Sequence, residues 1–205
     1  LRYDLFKAHA LYQLGRPEES ARYMSNSITA DTNSPTSLAA QIASNIIDKV
    51  ELWQKNADDF NELLQNCATL AEFAHKSANT AQTNLLLAEV YILSGKTPVP
   101  LFPITDDAIS LRVQARLLIS QEKFDQAAKL WSKIAELKRN EAEEQNQKSY
   151  GWWQAKFYEL DCLAKLPQAD RQNIAHVIDV LSGSNTQIPA PWAEKLDLLK
   201  KQCAA

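Results

Sequence analysis

Two short stretches, "GRPEESARYM" at 15–24 and "EKFDQAAKLW" at 122–131, carry small and large side chains in the same order. Aligned at an offset of 107 (122 less 15), Gly15 falls on Glu122, Pro17 on Phe124, Ser20 on Ala127 and Met24 on Trp131. Carried backwards, the offset puts Ala8 on Ala115 and Leu11 on Leu118. The correspondence therefore covers two consecutive helix-length segments and the turn between them. A chain that repeats one supersecondary unit has few options, because each unit leaves an apolar face that only a neighbouring unit can bury.

Glycine is scarce, four in 205 residues, and Gly15, Gly95 and Gly183 stand where other signals already indicate a break. Alternating Val/Ile/Thr runs bounded by Asn-Gly or Asp-Gly turns are missing, so an all-α chain is expected. A first helix covers about 2–14, and the next opens at Pro17 with Glu18 and Glu19 at its positive end. Ser34 reads as the cap of a helix from Pro35 to about Lys55, and Asn56 with Asp58 and Asp59 starts another that ends near Lys76. Thr80 caps a helix that stops at Gly95. Pro98, Pro100 and Pro103 force "KTPVPLFPIT" to be extended, and Val99, Leu101, Phe102 and Ile104 are expected to lie against helices.

Thr105, Asp106 and Asp107 begin a helix to about Ser120, and another covers about 123–139 with Lys138 and Arg139 at its negative end. Asn140 with Glu143 has capping-box spacing, so "NEAEEQNQK" reads as the first turns of a long helix to Leu166 rather than a disordered hinge. Pro167 ends it. A helix of about 169–181, a turn at "SGSNTQ" and a last helix from Pro191 complete the chain.

The repeated pattern resembles the tetratricopeptide repeat, a helix-turn-helix unit of about 34 residues. Ala127 and Trp131 supply its alanine-x-x-x-aromatic pair, and Ser20 and Met24 a weakened version. Ala88, Tyr91 and Gly95 form a third partial match, and Ala155 with Tyr158 a fourth without a turn glycine. The resemblance implies a single helical-repeat domain over 1–205 in which antiparallel hairpins stack as a TPR-like α-solenoid. Its clearest repeats are 1–30 and 108–139, with divergent helical pairs elsewhere.

Arg112 and Arg116 share a helical face. In the tetratricopeptide arrangement that face lines the inner, peptide-binding groove, where Trp152 and Lys156 follow in the next unit and His9, with Tyr12 one turn on, in the first. Three cations beside an aromatic suit an acidic or carboxylate-ended peptide. The lysines and asparagines of the family's carboxylate-clamp members are not at these positions, and solvated or locally ion-paired side chains are the alternative. Trp53, Trp131, Trp153 and Trp192 are expected to fill interhelical space, leaving Trp152 the more exposed of the adjacent pair.

A net charge of −3 disfavours a nucleic-acid partner held by phosphate contacts. No run of about 20 apolar residues is present to insert in a membrane. Cys67, Cys162 and Cys203 have no zinc or disulfide spacing, and their odd number leans towards a reducing, cytoplasmic compartment. A start at Leu1 rather than Met reads as a processed product or a segment of a longer protein. His9, His75 and His176 fall on three separate helices with no partner at ligand spacing, and phosphate-loop, nucleophile-elbow and HExxH motifs are missing. The sequence thus points to a non-enzymatic scaffold without cofactor or metal that binds a protein or peptide. A structural spacer or dimerisation module within a larger protein is the alternative.

Overall fold

A computed structural model of the chain describes residues 2–30, 36–54, 57–140, 148–183 and 187–204. Among them are ten α-helices, one 3-10 helix and no strand. The chain divides into two compact units, Leu1–Pro103 and Ile104–Ala205.

The first unit holds α1 (Arg2–Gln13), α2 (Pro17–Ala30), α3 (Thr36–Asp48), a 3-10 turn (Val50–Trp53), α4 (Ala57–Ser77) and α5 (Ala81–Leu93). Turns of three residues join α1 to α2 and α4 to α5, so each pair forms a hairpin. Apolar residues at helical spacing, such as Ile42, Ile46, Leu64 and Ala71, face one another in a single core. Thr80 caps α5 as expected, in a capping box closed by the Thr83 hydroxyl rather than by Glu or Gln.

The second unit holds α6 (Ala108–Ser120), α7 (Phe124–Asn140), α8 (Tyr150–Ala164), α9 (Arg171–Gly183) and α10 (Trp192–Ala204). Asp107 caps α6 by accepting from the Ile109 and Ser110 amides, each at 3.0 Å. Its core is aromatic. Trp131 stacks on Tyr158 with ring centroids 4.9 Å apart, and Trp192 sits tilted against both Tyr150 and Phe157. Such pairs add about 0.5–1.5 kcal/mol each beyond the area they bury.

The aligned turns close in the same way. At Gly15 (φ +70°) the Arg16 amide donates to the Leu11 carbonyl at 2.9 Å and the Gly15 amide to Tyr12 at 3.1 Å. At Glu122 (φ +59°) Lys123 donates to Leu118 at 2.9 Å and Glu122 to Ile119 at 3.0 Å. Gly95 (φ +65°) repeats the pair, with Lys96 donating to Tyr91 at 2.9 Å. All three are Schellman endings, in which a left-handed residue lets two amides turn back onto the last carbonyls. The small pairs match as well, since Ala8 and Ser20 in one hairpin and Ala115 and Ala127 in the other are fully buried. The fourth partial match departs: α8 ends in i→i−3 bonds before Pro167, with Lys165 donating to Cys162 at 3.2 Å.

Three sequence expectations are corrected. The helix placed to about Lys55 stops at Asp48, because the backbone leaves the helical region at Lys49 (φ −127°, ψ 32°) and tightens into the 3-10 turn. That turn puts Val50 in the core and packs Trp53 against it. Asn140 ends α7 instead of capping a longer helix. Ser149, in extended backbone, caps α8 by accepting from the Trp152 amide at 3.2 Å, so that helix begins at Tyr150 rather than at Asn140. Leu101 and Ile104 do not pack against helices, being 95% and 76% exposed, while Val99 and Phe102 are half-buried. In extended backbone adjacent side chains point apart, so seating Phe102 turns Leu101 outward. The caps proposed at Ser34 and Asn56, Glu143 with the rest of 141–147, and 184–186 of the expected turn lie outside the described residues.

Candidate functional site

The residues expected to form a basic docking face are divided between the units: His9 and Tyr12 lie in the first, Arg112, Arg116, Trp152 and Lys156 in the second. On α6, Arg112 is half-buried and Arg116 is only 5% exposed, and each is already engaged by another group. Lys156 forms an ion pair with Glu159 one turn along α8 at 2.6 Å, with both side chains largely covered.

Trp152 is 5% exposed, not the outward partner of the adjacent pair. Its ring meets Trp153 edge-on at 4.9 Å, with the Lys148 ammonium 5.2 Å from its centroid. The reason is the position of α8, which packs against α7, α9 and α10, so that Trp152, Trp153, Gln154 and Ala155 are buried in succession all round the helix. With Arg116 and Trp152 closed to solvent, the face offers an acidic peptide little to grip. On α1, His9 is exposed and Tyr12 packs half-buried against the core. Beside them the Lys7 ammonium donates to the Tyr23 hydroxyl at 2.6 Å, which raises the lysine's pKa and lowers the tyrosine's.

Burial pushes the Cys67 thiol up to about 12 and that of Cys162 also to about 12, so neither forms a thiolate at neutral pH. Among the described residues no three His, Cys, Asp or Glu side chains are grouped to hold a metal ion. Among the described residues no helix is long and apolar enough to cross a membrane.

A concavity of ligand scale lies in the first unit. A cleft of about 350 Å³ opens between α2, the 3-10 turn and α4, lined by Glu18, Glu19 and Arg22, by Leu52 and Trp53, and by Asp59, Glu62, Leu63 and Asn66. That volume falls at the small end of ligand pockets, about 300–1,000 Å³. The break at Lys49 builds it, because the 3-10 turn carries Leu52 and Trp53 to the wall, where a continuous α3 would set them on another path. Four carboxylates face one guanidinium. Glu19 accepts from Arg16 at 2.6 Å, and Arg22 sits 5.3 Å from the Tyr23 ring. Among the described residues Glu18, Asp59 and Glu62 enter no ion pair. The Glu18 Oε2 and Trp53 Nε1 atoms are out of reach of solvent and meet no hydrogen-bond partner among those residues.

Sequence reasoning passed over this cleft. Its acids stand in or beside the first turns of α2 and α4, where they favour the positive helix ends, and that local role explains them without reference to each other. The recurrence of acidic residues at 18, 19 and at 59, 62 was the available signal; the turn that brings Trp53 between them was not visible.

No protein-family model, no curated protein and no solved structure matches the chain.

Proposed function

We propose that the chain is a non-enzymatic helical-repeat module of the TPR-like kind, which binds a partner polypeptide on the surface of its stacked hairpins. The observation that carries this reading is the recurrence, at one offset, of the same turn closure and the same small pair in α1–α2 and α6–α7. Reuse of one hairpin extends a core and leaves its outer positions free to vary, which suits a surface that binds by several contacts rather than one reactive centre. The α2–α4 cleft supplies a place for such contact. The buried thiols and dispersed histidines support a non-catalytic role.

A photo-crosslinking amino acid placed at Asn66, in the cleft, tests the reading. It is expected to trap one polypeptide that, once purified, binds the unaltered protein in a saturable manner. The same probe at Gln172, exposed on α9, serves as the comparison. Trapping nothing, or the same set of proteins at both positions, contradicts the module reading. Trapping a second copy alone favours the spacer or dimerisation role.

A further inference from the structure

We propose that the α2–α4 cleft receives a lysine or arginine side chain of the partner polypeptide, so that the partner's docking segment is basic rather than acidic. This rests on the partner-binding reading above and adds the chemistry of the occupant.

Charge and shape both point this way. The lining sets four carboxylates against Arg22, and one of the four, Glu19, is held by Arg16. Arg22 itself lies beside the Tyr23 ring. Glu18, Asp59 and Glu62 thus present negative charge that no described residue neutralises by an ion pair. An acidic segment would add like charge to that surface, with Arg22 as the one lining cation to offset it.

The apolar part of the lining selects among cations. Leu52, Trp53 and Leu63 give a wall of two aliphatic side chains and an indole, which a bare metal ion does not use. A lysine or arginine does use it: the methylene stem packs on apolar surface while the charged head stays among carboxylates, with the indole available for a cation–π contact. Glu18 adds a second argument. One of its carboxylate oxygens is already shielded from water and has no donor among the described residues. A carboxylate that folding has partly dehydrated loses less on meeting a cation, and the attraction is stronger where the surroundings are less polar than water.

The test uses the full chain with a short arginine-rich peptide, the same peptide with citrulline in place of arginine, and a glutamate counterpart, titrated at one fixed ionic strength. Asp59→Asn with Glu62→Gln removes two cleft charges at exposed positions on α4. Asp125→Asn with Asp197→Asn removes two exposed charges of the second unit and leaves the net charge the same as in the cleft pair. The arginine peptide is expected to bind the unaltered protein and the second-unit pair alike. Its affinity for the cleft pair, and that of the citrulline peptide for the unaltered protein, should each fall about tenfold or more, a difference of about 1.4 kcal/mol. The Trp53→Phe variant should lose the fluorescence change that accompanies binding. Equal weakening by the two pairs, equal binding of the citrulline peptide, preference for the glutamate peptide, or no binding of the arginine peptide each overturns the inference. None of these touches the module reading, which falls only if the crosslinker at Asn66 traps no specific polypeptide.

Discussion

The Ser20 hydroxyl donates to the Ala8 carbonyl at 2.6 Å, and both residues are fully buried. This bond ties α2 to α1 at the position where the matched hairpin has Ala127 facing Ala115 with no hydroxyl at all. Space at this crossing, not hydrogen bonding, is therefore the shared requirement. Ser20→Ala is expected to cost about 1 kcal/mol or less, since the Ala8 carbonyl lies within α1 and keeps its helical role. Ser20→Leu should cost about 1–3 kcal/mol by overpacking. Ala127→Ser should be nearly neutral if its hydroxyl finds the Ala115 carbonyl as Ser20 finds that of Ala8. Urea unfolding of the three variants measures this, and a Leu that costs no more than an Ala would mean that the crossing is loose.

Asp107 gives the second unit an acid-sensitive start to α6. The Thr105 hydroxyl foremost, and then the Ser110 and Ile109 amides, hold its carboxyl below the usual carboxylate range. A lowered folded value means that the stabilisation is present above the unfolded pKa of about 4 and is lost as pH falls through the depressed value. Asp107→Ala should cost about 1 kcal/mol at pH 7. Asp107→Asn, which keeps the capping oxygen, should cost less and should flatten the fall in melting temperature as the pH drops below the unfolded carboxylate pKa of about 4.

Cys67 lies in the first unit and Cys162 in the second, both fully buried with their thiols pushed up to about 12. Neutral thiols without access react slowly, so an aromatic disulfide reagent at pH 8 should leave both unlabelled in the native protein and modify them on addition of guanidinium. The sign on the alkaline side follows: a raised folded value withdraws stability as pH climbs past the unfolded thiol pKa of about 8.5. Rapid native labelling of either cysteine, followed by mass spectrometry, would show that its core is not closed as described.

The parts of the fold legible in the sequence were those written in local chemistry. Thr80 and Asp107 mark helix starts through their own side chains, and Gly15 and Gly95 mark ends because only a residue without Cβ turns left-handed at little cost. Glu122 shows the limit of that rule. Nothing in its side chain signals φ +59°, and only alignment with Gly15 placed a turn there. Trp152 and Asn140 were misjudged for a different reason: burial all round α8, and the capping of α8 by Ser149 in preference to Asn140, depend on how neighbouring helices pack and not on residue type. The cleft was illegible because it joins acids on two helices through the 3-10 turn at Val50–Trp53, a tertiary juxtaposition that no single helix records.

That the hairpins at 1–30 and 108–139 are one structural unit used twice is tested most directly by exchanging the chemistry of their matched turn residues. Gly15 and Glu122 both hold positive φ, and a Cβ at Gly15 would meet nothing within 4 Å, so any effect there is a backbone effect. Gly15→Ala should destabilise by about 1 kcal/mol, and Glu122→Gly should stabilise by about 0.5–1 kcal/mol by relieving the left-handed strain. The measurement is the shift in melting temperature of the two single variants: the account predicts opposite signs, downward for Gly15→Ala and upward for Glu122→Gly. A Glu122→Gly variant that melts lower than the unaltered protein would contradict it.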